Sequence, residues 1–210
     1  MTTLIIVRHG NTFTSDDVPT RVGGRTDLPL VESGRRRAAA IGRYLQENKF
    51  IPDVVYASNL QRTQETAKIA IRESGVTNPV FTLDIFNEID YGPDENKTEA
   101  EVVARIGAQA IKDWDDRAVV PDGWMVEPDV IIQNWVDFAD QISAHDDNET
   151  VLVVTSNGIA RFAPHITGDF DGFRAAHDIK LKTGALGILR KGDEGWSVEG
   201  WNLKPQINTD

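Results

Sequence analysis

Apolar and polar positions along the chain follow two periods, one typical of strands and one typical of helices. Short unbroken apolar runs bounded by turn-permissive residues predict buried strands. Apolar residues at three- and four-residue spacing predict amphipathic helices between those strands. The strand patterns lie at residues 4–7, 54–57, 79–83 and 150–155, and the helical patterns at 33–48, 60–74 and around Ile131, Trp135, Phe138 and Ile142. This alternation predicts an α/β domain with a mostly parallel sheet.

Local signals set further boundaries in the second half of the chain. Residues 98–101 have the Thr-x-x-Glu spacing of a capping box, which predicts a helix from about Glu99 to Trp114. Residues 115–129 contain two prolines and a glycine and predict a loop. Two short strand patterns, at 186–189 and 196–201, flank a glycine-rich turn. They predict a hairpin at the edge of the sheet.

Composition narrows the class of protein. A length of 210 residues suits one domain, residues 1–210, with an insertion or cap. A formal charge of −11 argues against a nucleic-acid or anionic-membrane surface, because both need clustered Lys and Arg. The absence of cysteine excludes disulfides, thiolate metal sites and a cysteine nucleophile. No signal peptide and no run of ~20 apolar residues is visible, so we expect no membrane span and a cytoplasmic location.

The first strand pattern ends at Arg8-His9-Gly10, where candidate chemistry appears. Ligands of parallel sheets bind beyond the carboxyl ends of strands. An imidazole there can act as a nucleophile or a general base, or it can be a hydrogen-bonded structural histidine. The neighbouring guanidinium of Arg8 offers a planar fork of donors that matches a phosphate or a carboxylate.

Longer segments resemble a known family. The segments RHGNT, GRTDLPLVESGRRRA, SNLQRTQETA and NEIDYG occur in the order and spacing of the histidine phosphatase superfamily, which includes the cofactor-dependent phosphoglycerate mutases. The resemblance covers Leu4 to about Gly92 and resumes at residues 151–158. It implies a phosphoglycerate mutase-like three-layer sandwich, with helices on both faces of a mostly parallel sheet. Residues 90–128 are then the candidate cap over the site.

The resemblance also implies roles for individual residues. His9 is the nucleophile, and its attacking nitrogen must be unprotonated, which neighbouring arginine charge favours. Arg8 and Arg62 hold the phosphate, and Glu88 supplies the proton to the leaving oxygen. Taken without the family segments, Arg62 reads as an exposed cation at a helix start, and Glu88 reads as a solvated loop carboxylate.

Substrate-binding candidates surround these four residues. Gly24 belongs to the family loop that helps to line the phosphate pocket, although its glycine can simply shape a turn. Asn11 and Thr12 follow His9 closely enough to donate to the phosphate, or to cap the local backbone. Asn157 stands where the family usually has a second histidine. Its amide can donate a hydrogen bond but cannot carry charge, so weaker transition-state stabilisation is expected.

No metal and no cofactor is expected. The remaining histidines, His145, His165 and His177, have no metal-ligand spacing. Pairs of acidic residues at 16–17, 115–116 and 146–147 lie in loop-like contexts and are expected to be solvated.

The sequence predicts a metal-independent phosphatase that acts on a small phosphorylated molecule through a phosphohistidine at His9. Neither nucleic acid nor membrane is an expected partner, and a homodimer is possible. A mutase is the nearest alternative, but it calls for a closed, basic pocket, and residues 90–128 are rich in acids. A catalytically weak phosphate-binding or regulatory module is the second alternative, which Asn157 supports.

Overall fold

Residues 1–144 and 149–207 are described by the structure, a computed structural model, and their strands form one six-stranded sheet. The strands are β1 (Thr3–Arg8), β2 (Val54–Ala57), β3 (Val80–Thr82), β4 (Thr150–Thr155), β5 (Leu186–Gly192) and β6 (Gly195–Leu203). Their order across the sheet is β3-β2-β4-β1-β5-β6. The first four of these in spatial order run parallel, and β5 and β6 form an antiparallel hairpin at one edge. The predicted mixed α/β class and the edge hairpin are confirmed.

Helices connect the strands and cover both faces of the sheet. They are α1 (Glu32–Glu47), α2 (Gln61–Glu73), α3 (Glu99–Ile106), α4 (Ala108–Arg117), α5 (Pro128–Ser143), α6 (Asn157–Ala160) and α7 (Phe170–Ala176). Short 3₁₀ turns lie at Asp84–Phe86, Gly92–Asp94 and Ala163–Thr167. Helices α1 and α2 begin and end within one residue of the boundaries predicted from apolar spacing.

The central strand β1 shows why its sequence is apolar without a break. Successive side chains of a strand point to opposite faces. Ile5 and Val7 accordingly pack into a core with residues of α1 and α2, whereas Leu4 and Ile6 pack into the larger core on the other face, which includes the aromatic side chains of α5. Both faces of β1 are covered along residues 4–7, so all four of these positions are apolar, as is typical of parallel sheets. The result is the predicted three-layer arrangement.

One helix prediction is wrong in its extent. The capping box at Thr98 and Glu101 forms as predicted, with the hydroxyl and the carboxylate each bonding the other residue's backbone N–H. The helix ends at Ile106, however, because Gly107 has a φ of 81°, outside the helical region. A new helix, α4, follows and continues to Arg117, three residues into the predicted loop. Of the sequence candidates, His145 and the acidic pair at 146–147 lie outside the described residues.

Candidate active site

The carboxyl ends of the parallel strands bring four candidate residues together. His9 directly follows β1, Arg62 lies in the first turn of α2 after β2, Glu88 lies beyond β3, and Asn157 begins α6 after β4. All four side chains are buried, and Arg62 has no exposed surface. Arg62 Nε donates to His9 Nε2 over 3.2 Å, and Glu88 Oε2 accepts from the Gly158 N–H at 3.2 Å. Residues separated by up to 149 positions therefore form one cluster.

The surroundings of His9 fix its tautomer and its charge. Nδ1 lies 2.7 Å from the Gly10 carbonyl oxygen, which can only accept, so Nδ1 carries the proton and Nε2 the lone pair. Burial, followed by the positive charges of Arg62 and Arg8, holds the pKa of His9 well below its ordinary value of 6.5. His9 is thus neutral at neutral pH, with an unprotonated Nε2 facing Arg62. This is the protonation state that a nucleophile needs.

The side chain of Arg62 is held on three sides. Besides its bond to His9, Nη1 donates to the Thr26 carbonyl oxygen at 2.8 Å and Nη2 to that of Gly23 at 3.2 Å. The loop that supplies both carbonyls is fastened by Glu95. Oε1 of Glu95 accepts from the Gly23 N–H at 3.1 Å and from the Thr26 hydroxyl at 2.8 Å. Glu95 therefore orients Arg62 without touching it.

Gly24 packs against the backbone next to Glu88, and its expected role in substrate binding stays a prediction. Its N–H donates to the Ile89 carbonyl oxygen at 2.9 Å, and a Cβ added at Gly24 would approach the Glu88 carbonyl oxygen to 2.6 Å. The residue therefore lies behind the pocket wall, against the backbone that carries Glu88. A glycine is needed there because two backbone segments approach closely.

Glu88 has the environment of a carboxylic acid. Burial raises its pKa above the ordinary value of 4.5, although two backbone N–H bonds and the charges of Arg62 and Arg8 act in the opposite direction. Its carboxyl group lies directly against α6. A Cβ at Gly158 would overlap Oε1 of Glu88, so the helix can approach this carboxyl only with glycine at that position.

Asn157 is oriented by a backbone amide from a distant segment. Its Oδ1 accepts from the Leu181 N–H at 3.0 Å, so the Nδ2 group is the donor that this side chain can offer a ligand. The carbonyl of Leu181 in turn accepts from Arg8 Nη1 at 2.9 Å. One peptide segment thus positions both Arg8 and Asn157. Arg8 Nε is buried and has no hydrogen-bond partner.

Arg8, His9, Glu88 and Asn157 line a pocket of about 580 Å³. Arg62 contacts His9 but is not one of the lining residues. Asn11 and Thr12 line the pocket as well. Asn11 Nδ2 donates to the Ser33 hydroxyl at 3.1 Å, so its amide also holds the start of α1 against this loop. Tyr91, Glu99, Trp114 and Asp115 of the candidate cap, residues 90–128, also form part of the wall. That this segment acts as a cap stays a prediction.

Several wall residues were not identified from the sequence. They are Phe13, Thr14, Arg21, Trp114, Arg161, Lys180 and Thr183. One signal for Arg161 is present in the sequence, since it is a lone charge in the apolar segment IARFA, one helical turn after Asn157. Arg21 and Lys180 lie in loops whose paths the sequence does not reveal.

The described residues offer no donor set for a metal. Among residues 1–144 and 149–207, no group of three or more His, Asp or Glu side chains is arranged to hold an ion. Positive charge in the pocket wall comes from Arg8, Arg21, Arg161 and Lys180. In the same part of the chain, no helix combines the length and apolar character needed to cross a membrane.

Comparison with known proteins places this chain in a family. The family model described as histidine phosphatase superfamily (branch 1) matches residues 4–204. The chain therefore belongs to the histidine phosphatase superfamily.

Individual relatives are phosphatases and mutases. A 2,3-bisphosphoglycerate-dependent phosphoglycerate mutase of Tropheryma whipplei (strain Twist) is 33% identical over 115 residues, covering 54% of this chain and 51% of the mutase. The chain thus spans about half the length of this relative. An uncharacterized phosphatase, PhoE, of Bacillus subtilis (strain 168) is 24% identical and covers 99% of this chain and 98% of its own length. A mycobacterial glucosyl-3-phosphoglycerate phosphatase shares the fold, with a TM-score of 0.77, 20% identity and coverage of 96% and 99%.

Proposed function

We propose that this protein hydrolyses a small phosphomonoester through a phosphohistidine on His9. The observation that carries this proposal is the neutral imidazole whose Nε2 faces Arg62 while Nδ1–H is fixed on Gly10. A nitrogen lone pair next to a guanidinium suits attack on a phosphoryl group, because the same cation that lowers the pKa of the imidazole binds the phosphoryl oxygens.

The reaction would proceed in two steps. In the first, Arg62 Nε moves its hydrogen bond from His9 Nε2 to a phosphoryl oxygen, and the freed Nε2 attacks phosphorus. The bond from phosphorus to the ester oxygen breaks, and the protonated Glu88 gives its proton to the leaving alkoxide. In the second, the Glu88 carboxylate takes a proton from water as the water attacks phosphorus and the bond from phosphorus to His9 Nε2 breaks. This releases inorganic phosphate and restores His9 and the protonated Glu88. Arg8, Arg62 and the Asn157 amide bind the phosphoryl oxygens in both steps.

Hydrolysis is favoured over phosphoryl exchange on two grounds. The relative that matches along nearly the full length is named a phosphatase, whereas the mutase matches over about half its length. Arginines in the candidate cap are also paired with acids: Arg105 contacts Asp94 at 2.5 Å and Arg117 contacts Asp113 at 2.7 Å. These cations are therefore already occupied and do not form a second phosphate site.

A rapid-quench experiment with ³²P-labelled phosphomonoester tests the proposal. We expect label on the protein that is acid-labile and base-stable, as phosphohistidine is, and that disappears in His9→Ala. His177→Ala, which removes an exposed histidine, is the matched control and should retain the label. Label on an acid-stable ester, or unchanged turnover in His9→Ala, would overturn the mechanism. Vanadate binding without turnover would instead support a phosphate-binding module.

A further inference from the structure

Asn202 has a backbone conformation that is uncommon for a residue inside a strand. Its φ is 57°, in the left-handed region, although the residue lies within β6. Between two paired positions, Leu186 opposite Leu203 and Ile188 opposite Gly200, β6 has two residues and β5 has one. The extra residue makes a β-bulge, a feature that re-aims a side chain and is common beside active sites.

The amide of Asn202 bridges two backbone groups of residues 178–182, which lie between α7 and β5. Oδ1 accepts from the Lys182 N–H at 2.7 Å, and Nδ2 donates to the Lys180 carbonyl oxygen at 2.9 Å. Both ends of one side-chain amide are therefore used to hold this irregular segment in place.

Trp201, the other residue of the bulge, contacts the same segment. Its Nε1 donates to the Asp178 carbonyl oxygen at 2.9 Å. Its ring lies against Gly187 of β5, where an added Cβ would approach the ring carbon Cε3 to 2.3 Å. Glycine at that position gives the ring its space, so the bulge seats both of its residues against residues 178–182.

The opposite side of this segment holds two residues of the active site. Leu181 is fully buried, its N–H donates to Asn157 Oδ1 at 3.0 Å, and its carbonyl oxygen accepts from Arg8 Nη1 at 2.9 Å. A trans peptide group is planar, with its C=O and its N–H on opposite sides. The two peptide groups on either side of the Leu181 Cα thus each bond Asn202 at one end and an active-site residue at the other.

We propose that Asn202 is a positioning residue for the phosphoryl-binding side of the pocket. It fixes the planes of the two peptide groups beside Leu181, and these peptide groups orient the Asn157 amide and the Arg8 guanidinium. The inference rests on the proposed phosphatase function, in which Asn157 and Arg8 bind the phosphoryl oxygens. The bulge and the left-handed φ of Asn202 serve the site, since they aim its amide at this segment.

Asn202→Gly tests the role of the amide without disturbing the backbone, because glycine adopts a φ of 57° without strain. We expect kcat to fall about tenfold, which corresponds to the loss of one well-directed hydrogen bond, with a smaller change in KM. The loss should be equal for an alkyl phosphate and for 4-nitrophenyl phosphate, because both esters present the same phosphoryl oxygens. A protein that is only less stable would have a lower Tm without this division between kcat and KM.

A second variant and a control accompany that substitution. Asn202→Asp keeps the size of the side chain but places a carboxylate oxygen, which cannot donate, against the Lys180 carbonyl, so its kcat should also fall. Lys49→Gly is the matched control, because Lys49 is exposed, has a φ of 61° and does not line the pocket. It should keep the wild-type kcat. A wild-type kcat in both Asn202 variants would overturn the proposal.

A double-mutant cycle on orthovanadate binding, measured by calorimetry, shows whether Asn202 acts through Asn157 and Arg8. Asn202→Gly should weaken binding about tenfold in the wild-type background. The loss should be smaller in Asn157→Ala and in Arg8→Met, because each of these backgrounds already lacks a group that Asn202 orients. Equal losses in all three backgrounds would overturn the route through Leu181.

The same binding measurement separates failure of this inference from failure of the proposed function, because it needs no turnover. Weaker vanadate binding by Asn202→Gly, with no hydrolysis of any ester by the wild-type protein, would refute the phosphatase function and leave the positioning role standing. Hydrolysis by the wild-type protein, with unchanged kcat and unchanged vanadate affinity in Asn202→Gly, would refute the positioning role and leave the phosphatase function standing.

Discussion

At His9 and Glu88, burial is the largest influence on the pKa, and it shifts the two pKa values in opposite directions. Burial disfavours the charged form of either group, so it lowers the pKa of the imidazole and raises the pKa of the carboxyl. Burial therefore favours the imidazole without a proton on Nε2 and the carboxyl group with a proton. Both are the states in which these residues must begin an attack on a phosphomonoester.

We expect Glu88→Gln to reduce kcat/KM for an alkyl phosphate by about a hundredfold or more, because an alkoxide leaves poorly without a proton. With 4-nitrophenyl phosphate the loss should be below about tenfold, since that leaving group departs as the anion. Steady-state kinetics on both esters make the comparison. Equal losses on the two esters would remove Glu88 from the role of general acid.

The pH profile is a second consequence of these two residues. The acid limb, where His9 becomes protonated, should lie below 6.5, because its folded pKa is lowered from that value. The alkaline limb for alkyl phosphates, where Glu88 loses its proton, should lie above 4.5, because its folded pKa is raised. We expect that alkaline limb to be absent for 4-nitrophenyl phosphate. The same limb for both esters would assign it to another group.

Asn157 provides another test at the level of a single side chain. With Oδ1 engaged by Leu181, Nδ2 is the only donor it can offer a phosphoryl oxygen. Asn157→Ala should therefore reduce turnover by about tenfold, and Asn157→His, which can carry charge, should bind vanadate more tightly than wild type. Loss of both vanadate binding and turnover in Asn157→His would show that the pocket has been reshaped around asparagine.

At the level of elements, α6 limits the space available to the Glu88 carboxyl group, because Gly158 of this helix lies directly against it. Gly158→Ala should push the Glu88 carboxyl aside, since the new methyl group would overlap Oε1, and should destabilise the fold by about 1–3 kcal/mol. The activity of Gly158→Ala on alkyl phosphates should fall more than its activity on 4-nitrophenyl phosphate.

Gly192→Ala is the matched control for that substitution, because a Cβ there meets nothing within 4 Å. Thermal unfolding and the two-ester assay distinguish the outcomes. Retention of wild-type kinetics on both esters in Gly158→Ala would mean that the contact between α6 and Glu88 does not matter for catalysis.

Helices and strands could be predicted from the sequence where residues close together in the chain determine them. The run at 4–7 and the capping box at Thr98 and Glu101 depend on neighbours in sequence, and both formed as expected. The break at Gly107 was missed because a single glycine inside an apolar helical pattern is usually tolerated, and only packing decides whether the helix turns there.

At the scale of the whole molecule, the proposed mechanism relies on guanidinium groups, rather than on a metal, to bind the phosphoryl oxygens. Activity should therefore persist in excess chelator, since Arg8 and Arg62 supply the positive charge for the phosphoryl oxygens. Turnover measured with and without EDTA, followed by addition of Mg²⁺, Mn²⁺ or Zn²⁺, makes the test. Loss in chelator with rescue by one of these ions would contradict it.

His9, Arg62 and Glu88 could be identified as candidates from the sequence, because each lies in a contiguous family motif. The pairing of Lys180 with Asp115 could not be predicted in this way. It joins residues 65 positions apart, and which loops meet depends on how the two layers of helices pack on the sheet. The role expected for Gly24 stays a prediction, since a loop motif does not show which side faces the pocket.

The position of β1 has a consequence for how the protein is made. This strand precedes the other five strands in the chain, yet its partners in the sheet are β4 and β5, with Thr3 opposite Thr150 on one side and opposite Arg190 on the other. A nascent chain must therefore keep an apolar strand with two unpaired edges in solution until β4 and β5 have been synthesised. His9 and Arg8 receive their backbone contacts from residues 181–185 only then, so the pocket wall around them can form only after that segment has been made.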